Sequence, residues 1–163
     1  MATDKIEVTK TDSILNQFNE LQTQISQRAY DLFRNSEGFV RGAIDDWLRA
    51  ERELVWRPAI DLRQKDGRIE LEAALSGVEP KNLDVQVTPE DVLITAKEEQ
   101  HRHDQLGEKV HVCEFGTGRL FRSVHLPERI DVDSVEADFS NGLLHLSASV
   151  AGATPKKVDV KAA

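Results

Sequence analysis

Arg68-Ile69-Glu70-Leu71-Glu72-Ala73-Ala74-Leu75 places an apolar side chain at every second position, with charged or small residues between them. Successive side chains of a β-strand point to opposite faces, so this octet reads as a strand with one dry face and one wet face. The same period extends in both directions. Upstream lies Ala59-Ile60-Asp61-Leu62; downstream come Leu83, Val85 and Val87, then Val92, Ile94 and Ala96. Val110 and Val112 follow, then Leu120, Val124 and Leu126, then Val135, Ala137 and Phe139, and finally Leu144, Leu146, Ala148 and Val150. Turn-forming clusters separate most of these runs: Lys65-Asp66-Gly67, Ser76-Gly77-Val78-Glu79-Pro80, Thr88-Pro89-Glu90-Asp91 and Ser140-Asn141-Gly142. Eight short strands with no helix between them predict a mainly β fold, an immunoglobulin-like antiparallel β-sandwich over residues 56–150.

Before Trp56-Arg57-Pro58 the period is different. Ile14, Leu15, Phe18, Leu21, Ile25, Ala29, Leu32 and Phe33 recur in steps of three and four, one stripe of a helix. Asn35-Ser36-Glu37-Gly38 interrupts it, with Ser36 as a candidate cap, and Phe39, Val40, Ala43, Ile44, Trp47 and Leu48 form a second stripe. Residues 1–55 thus read as an α-helical N-terminal arm. Amphipathic helices of this length need a partner for their apolar faces. That partner is either the chain's own domain or, alternatively, another subunit and at times a foreign chain.

Residues 98–109 form a charged stretch whose single aliphatic side chain is Leu106, too long for a tight hairpin. It is either a surface loop or a tether that lets the strand at residues 110–113 pair with another subunit's sheet edge. Residues 151–163 form an extended C-terminal tail after Gly152 and Pro155, in which Val158 and Val160 point the same way when the chain is extended. Arg122 is in phase with Leu120, Val124 and Leu126, which turns its guanidinium toward the apolar face unless a bulge rotates it out.

Bulk properties exclude several classes. A net charge of -8 over 163 residues argues against nucleic acid as the main partner. The one cysteine, Cys113, rules out an intramolecular disulfide framework and fits a reducing cytoplasm. The polar N-terminus is no secretory signal, and no apolar run reaches membrane-spanning length. His101, His103 and Asp104, or His111 with Cys113, offer metal-ligand atoms without the spacing that makes a metal site specific. Gly116-Thr117-Gly118 leads into a strand and not a helix N-terminus, so it is no phosphate cradle. No catalytic constellation and no cofactor site is expected.

Several segments resemble the small heat-shock protein family, whose signature is the α-crystallin domain. Ala137-x-x-x-Asn141-Gly142-x-Leu144 is similar to its Ala-x-x-x-Asn-Gly-x-Leu motif, and Gly118-x-x-x-Arg122-x-x-x-Leu126-Pro127 to its Gly-x-Phe-x-Arg-x-x-x-Leu-Pro run, with Leu120 in place of phenylalanine. Trp56-Arg57-Pro58-Ala59-Ile60-Asp61-Leu62 resembles the domain's opening strand, and Leu75-Ser76-Gly77-Val78 its Leu-Pro-Gly-Val turn with Ser76 replacing proline. Val158-x-Val160 resembles the C-terminal Ile-x-Ile motif in smaller form. The arm matches no motif.

The resemblance implies an ATP-independent chaperone that binds unfolding clients, not an enzyme, assembling as a dynamic homo-oligomer. It implies dimers made by strand exchange through Val110 and Val112, with Arg122 near the interface. It also implies larger particles joined by Val158 and Val160 docking in a groove formed by Leu83, Val85, Val87, Leu144 and Leu146. The arm residues Ile14, Leu15, Phe18, Leu21, Ile25, Leu32, Phe33, Phe39, Val40, Ile44, Trp47 and Leu48 would meet clients or other subunits. A non-chaperone β-sandwich binding module would account for the strands but not for the arm or the tail.

Overall fold

Residues 3–35, 42–96, 111 and 118–152 are described by a computed structural model of the protein. The first seven residues of the opening octet form strand β5 (Arg68–Ala74), in which Ile69, Leu71 and Ala73 are buried. It joins β4 (Ile60–Lys65) through a hairpin whose two turn residues are Asp66 and Gly67. β6 (Leu83–Val87), β7 (Asp91–Ala96), β8 (Arg119–His125), β9 (Glu136–Ser140) and β10 (Leu143–Ser149) complete the set described of the period-two strands. The expected strand at 110–113 lies outside the described residues, apart from His111. Asn141 and Gly142 both have positive φ, 52° and 77°, the conformation a two-residue β9–β10 hairpin demands.

The strands form two sheets. One runs β1-β9-β10-β5-β4 and the other β2-β6-β7-β8-β3, where β1 is Asp4–Lys5, β2 Val8–Lys10 and β3 Val55–Trp56. The inner faces meet in a core that includes Ile69, Leu71, Val85, Val87, Val92, Ile94, Leu144 and Leu146. This is an antiparallel sandwich with parallel additions at its margins, β2 on β6 and β3 on β8.

Residues 4–5 and 8–10 differ from the helical expectation for the arm. They form β1 and β2, strands of two and three residues that are too short to display a period. Their conformation comes from ladders offered by β9 and β6, not from their own pattern.

Helix α1 spans Leu15–Asn35, with the Ser13 hydroxyl accepting from the Leu15 amide at 3.2 Å. Helix α2 spans Ala43–Leu54. Its N-cap is Gly42, without a side-chain hydrogen bond, and Asp45 and Asp46 in the first turn complement the helix dipole. Ser36, the expected cap, lies outside the described residues. The two helices pack on each other and on the outer face of β7 and β8, where Leu93 and Phe121 join Ile14, Leu21, Ile25, Ala50 and Val55 in a second apolar cluster. Phe18 meets Phe121 edge to face, with centroids 5.2 Å apart.

Candidate protein-interaction surfaces

Three surfaces carry the residues singled out from the sequence. The first is the margin where β6 of one sheet and β9 of the other lie at the edge of the sandwich. Segment 4–10 occupies it. β1 pairs antiparallel with β9, Asp4 opposite Phe139 and Lys5 opposite Asp138; β2 then pairs parallel with β6, Val8 opposite Val85 and Lys10 opposite Val87. Between the two, the Ile6 amide donates to the Ala137 carbonyl at 3.0 Å, and its side chain, 7% exposed, enters the core. Leu83, Val85, Val87, Leu144 and Leu146 are all buried in that core, and Leu83 also borders a cleft beside segment 4–9. β10 moreover is paired on both edges, with β5 and β9, so the strand facing β6 across the margin is β9.

The second surface is helical. The stripe splits into two faces. Ile14, Leu21 and Ile25 are buried, and Phe18, Leu32 and Trp47 partly so, against β7 and β8. Leu15, Phe33, Ile44 and Leu48 are exposed, as is Tyr30. Phe39 and Val40 lie outside the described residues. Leu93 and Phe121, which receive the inward face, were not singled out beforehand. Their signal was present: Val92-Leu93-Ile94 is apolar without alternation, the mark of a strand covered on both faces. A cleft of about 270 Å³ remains between helices and sheet, bordered by Phe18, Leu21, Ile25, Trp47, Val55 and Phe121.

The third comprises the free edges. β4 pairs with β5 alone among the described strands. On β8 the register to β7 runs without a bulge from Asp91 opposite His125 to Thr95 opposite Phe121, so Arg122 keeps the phase of Leu120 and Val124. It is half-buried, and its Nε is buried with no hydrogen-bond partner among the described residues. Gly118, at φ 94°, explains the first residue of that run: a Cβ there would lie 2.7 Å from the Leu54 carbonyl carbon and oxygen, where α2 ends. Val110, Val112, Val158 and Val160 lie outside the described residues. Among the described residues no group of three or more His, Cys, Asp or Glu side chains is arranged to hold a metal, and no helix is long and apolar enough to cross a membrane.

The sequence model of the Hsp20/alpha crystallin family matches residues 61–161, more than half of the chain. The protein belongs to that family. Membership gives it, in general terms, the chaperone role of a small heat-shock protein in the stress response.

Among its relatives, a probable 15 kDa heat shock protein of Leptospira interrogans is 31% identical over 113 residues, covering 69% of this chain and 85% of its own. Small heat shock protein C4 of Rickettsia felis is 27% identical over 146 residues, 88% of this chain and 84% of that one. Two solved structures share the fold. Heat shock protein 16.0 from Schizosaccharomyces pombe has a TM-score of 0.53 at 22% identity, over 66% of this chain and 99% of that one. A small heat-shock protein from Xylella fastidiosa has a TM-score of 0.52 at 26% identity, over 66% and 98%. A second sequence model, of a family of unknown function (DUF2934), matches residues 20–55. The arm expected to match no motif thus carries a recognisable one, covering most of α1, all of α2 and the first residue of β3.

Proposed function

We propose that this small heat-shock protein is an ATP-independent holding chaperone, which binds unfolding proteins and prevents their aggregation. The supporting observation is the outward apolar face of the helical layer. Leu15, Tyr30, Phe33, Ile44 and Leu48 stand exposed on a body of net charge -8. Apolar surface of this kind gains from covering the apolar segments of an unfolding chain, and the burial itself supplies the driving force, so neither nucleotide nor cofactor nor catalysis enters. The single cysteine and acidic balance fit a cytoplasmic site of action.

In this reading the chain works as three parts: the apolar arm at 1–55, the sandwich at 56–150 and the tail at 151–163. Residues 110–113, carrying Val110 and Val112, leave their own sandwich and add to the free β4 edge of a second subunit. The buried Nε of Arg122 finds its acceptor in that dimer, since a buried donor left unpaired costs about 1–3 kcal/mol. Val158 and Val160 then dock as a strand at the β6–β9 margin of a neighbouring dimer. Two buried valines contribute roughly 1.5–3 kcal/mol each before ordering costs, so each joint is reversible and the particle is held by their number.

The test is light scattering from a heat-labile enzyme incubated with the purified protein and no nucleotide. Suppression at equimolar subunit ratio is expected. Unchanged aggregation at that ratio and above overturns the holding function.

A further inference from the structure

The margin proposed for the tail is filled, in this structure, by the chain's own first residues, and the two segments are nearly the same sequence. Lys5-Ile6-Glu7-Val8 at the head corresponds to Lys157-Val158-Asp159-Val160 in the tail: lysine, β-branched, acidic, valine. Each is followed closely by another lysine, Lys10 in the head and Lys161 in the tail. We infer that head and tail are alternative occupants of one site, and that the head acts as a built-in competitor which must leave before a neighbouring subunit's tail can dock. This rests on the tail-docking reading above.

The chemistry of the site explains why both segments would fit. The backbone of the head completes two open ladders at once, antiparallel on β9 and parallel on β6. Its Ile6 side chain drops between the sheets, and Val8 packs on the core from one side. A bound strand thus needs two β-branched residues spaced by one, because the ladder sets the register and the two sheets supply the apolar pockets. Carboxylates predominate at the rims, where Lys81 is paired with Glu79 at 2.7 Å. Asp138 is opposite Lys5 in the register, the Lys10 ammonium pairs with Asp133, and Asp84 lines the mouth. An acidic rim selects a strand flanked by lysines, and head and tail both are.

The two occupants differ in how they arrive. The head is tethered a few residues from the site by Thr11, whose amide donates to the Val87 carbonyl at 2.9 Å, and by the start of α1. Its effective concentration is high whatever the protein concentration. A tail from another subunit meets a site open only for the fraction of time the head is out, and its apparent affinity falls by that fraction. Assembly is then set by head release, and any influence that loosens α1 also frees the margin.

The experiment uses the full chain carrying Val158→Asp and Val160→Asp, which removes the native tail as a competitor. A fluorescein-labelled peptide of residues 154–163 is titrated by anisotropy into this protein and into the same protein with Ile6→Asp and Val8→Asp. At least about tenfold tighter binding is expected once the head is disabled. Measurable binding with equal Kd in both overturns the competition and leaves tail docking standing; no binding to either overturns both. Because the head substitutions disturb a core residue, the unmodified chain supplies a second reading by hydrogen exchange. Saturating unlabelled tail peptide should speed exchange across residues 4–11, where Ile6 and Thr11 donate their amides. Unchanged protection there with peptide bound overturns the competition.

Discussion

In β5 and β10, Ile69, Leu71, Leu144 and Leu146 are each about 1% exposed, whereas in α1 and α2 Leu15 and Ile44 stand 66% and 75% exposed. Both regions carry apolar side chains at the period of their backbone, yet one closes on itself and the other closes only halfway. The reason is geometric. A sandwich gives every inward side chain a facing sheet, so each strand's single dry face is fully used. Two helices lying on one sheet have apolar arcs wider than the sheet can cover, and the cleft left beside Phe18 and Trp47 adds to the shortfall. The sandwich is thereby a stability device and the helical layer a surface with apolar area to spare.

The severest way to break this contrast is to remove residues 1–54. That strips Ile6 from the core margin and uncovers Leu93 and Phe121 on the outer sheet. Losing Ile6 from the core and exposing the other two costs on the order of 5 kcal/mol, a drop in Tm of about 10–20 °C for a domain of this size. The β-sheet circular dichroism should persist at low temperature, because the inward pattern of β4 to β10 needs no other arm residue. Client protection should be lost. Complete unfolding of the fragment would show that the helical layer belongs to the core, and the contrast would fall.

A sharper comparison sets two substitutions side by side. Leu146→Ala opens a cavity between the sheets and should cost about 2–5 kcal/mol, read as a shift in the urea midpoint. Ile44→Ser together with Leu48→Ser should change the unfolding free energy by no more than about 0.5 kcal/mol, since these side chains are exposed. The order reverses for function: the helical double variant should lose client protection, and Leu146→Ala should keep it below its lowered Tm. Equal losses of protection from both would mean that the exposed face has no special part in binding clients.

The sandwich was legible because its strands are long enough to alternate and its hairpins are written in residues such as Asn141-Gly142, whose positive φ few other pairs adopt. The helical stripe was legible too, but a stripe does not say how much of itself is covered. Leu15 and Leu21 read alike in the sequence, and only the position of β7 and β8 separates them. β1, β2 and β3 left no periodic trace. Segments of two or three residues take their conformation from the edge they join. The likeness of Lys5-Ile6-Glu7-Val8 to the tail becomes informative only once Ile6 is seen buried at the margin.

The smallest expected effect tests how the helical layer is held in register. Glu53 on α2 accepts from Arg28 of α1 at 2.9 Å and from Arg49 one turn before it at 3.1 Å. The Arg28 hydrogen bond holds its carboxyl below the usual glutamate range against an upward push from burial, helped by the Arg28 charge and by the hydrogen bond and charge of Arg49. A carboxylate whose folded pKa is depressed contributes stability above its unfolded value and loses it as pH falls through the folded one. The pair is largely solvated, so its worth is at most about 1 kcal/mol and is screened by salt. Glu53→Gln should therefore lower the urea midpoint slightly at pH 7 and low salt. The gap from the parent should close as pH drops below the ordinary glutamate range, and again in high salt at pH 7. The β-sheet signal should be indifferent throughout, because the bridge ties helix to helix and touches no strand of the core. A gap that stays constant across pH and salt would mean that Glu53 acts through packing and not through charge, and that the two helices are fixed to the sheet as firmly as the strands are to one another.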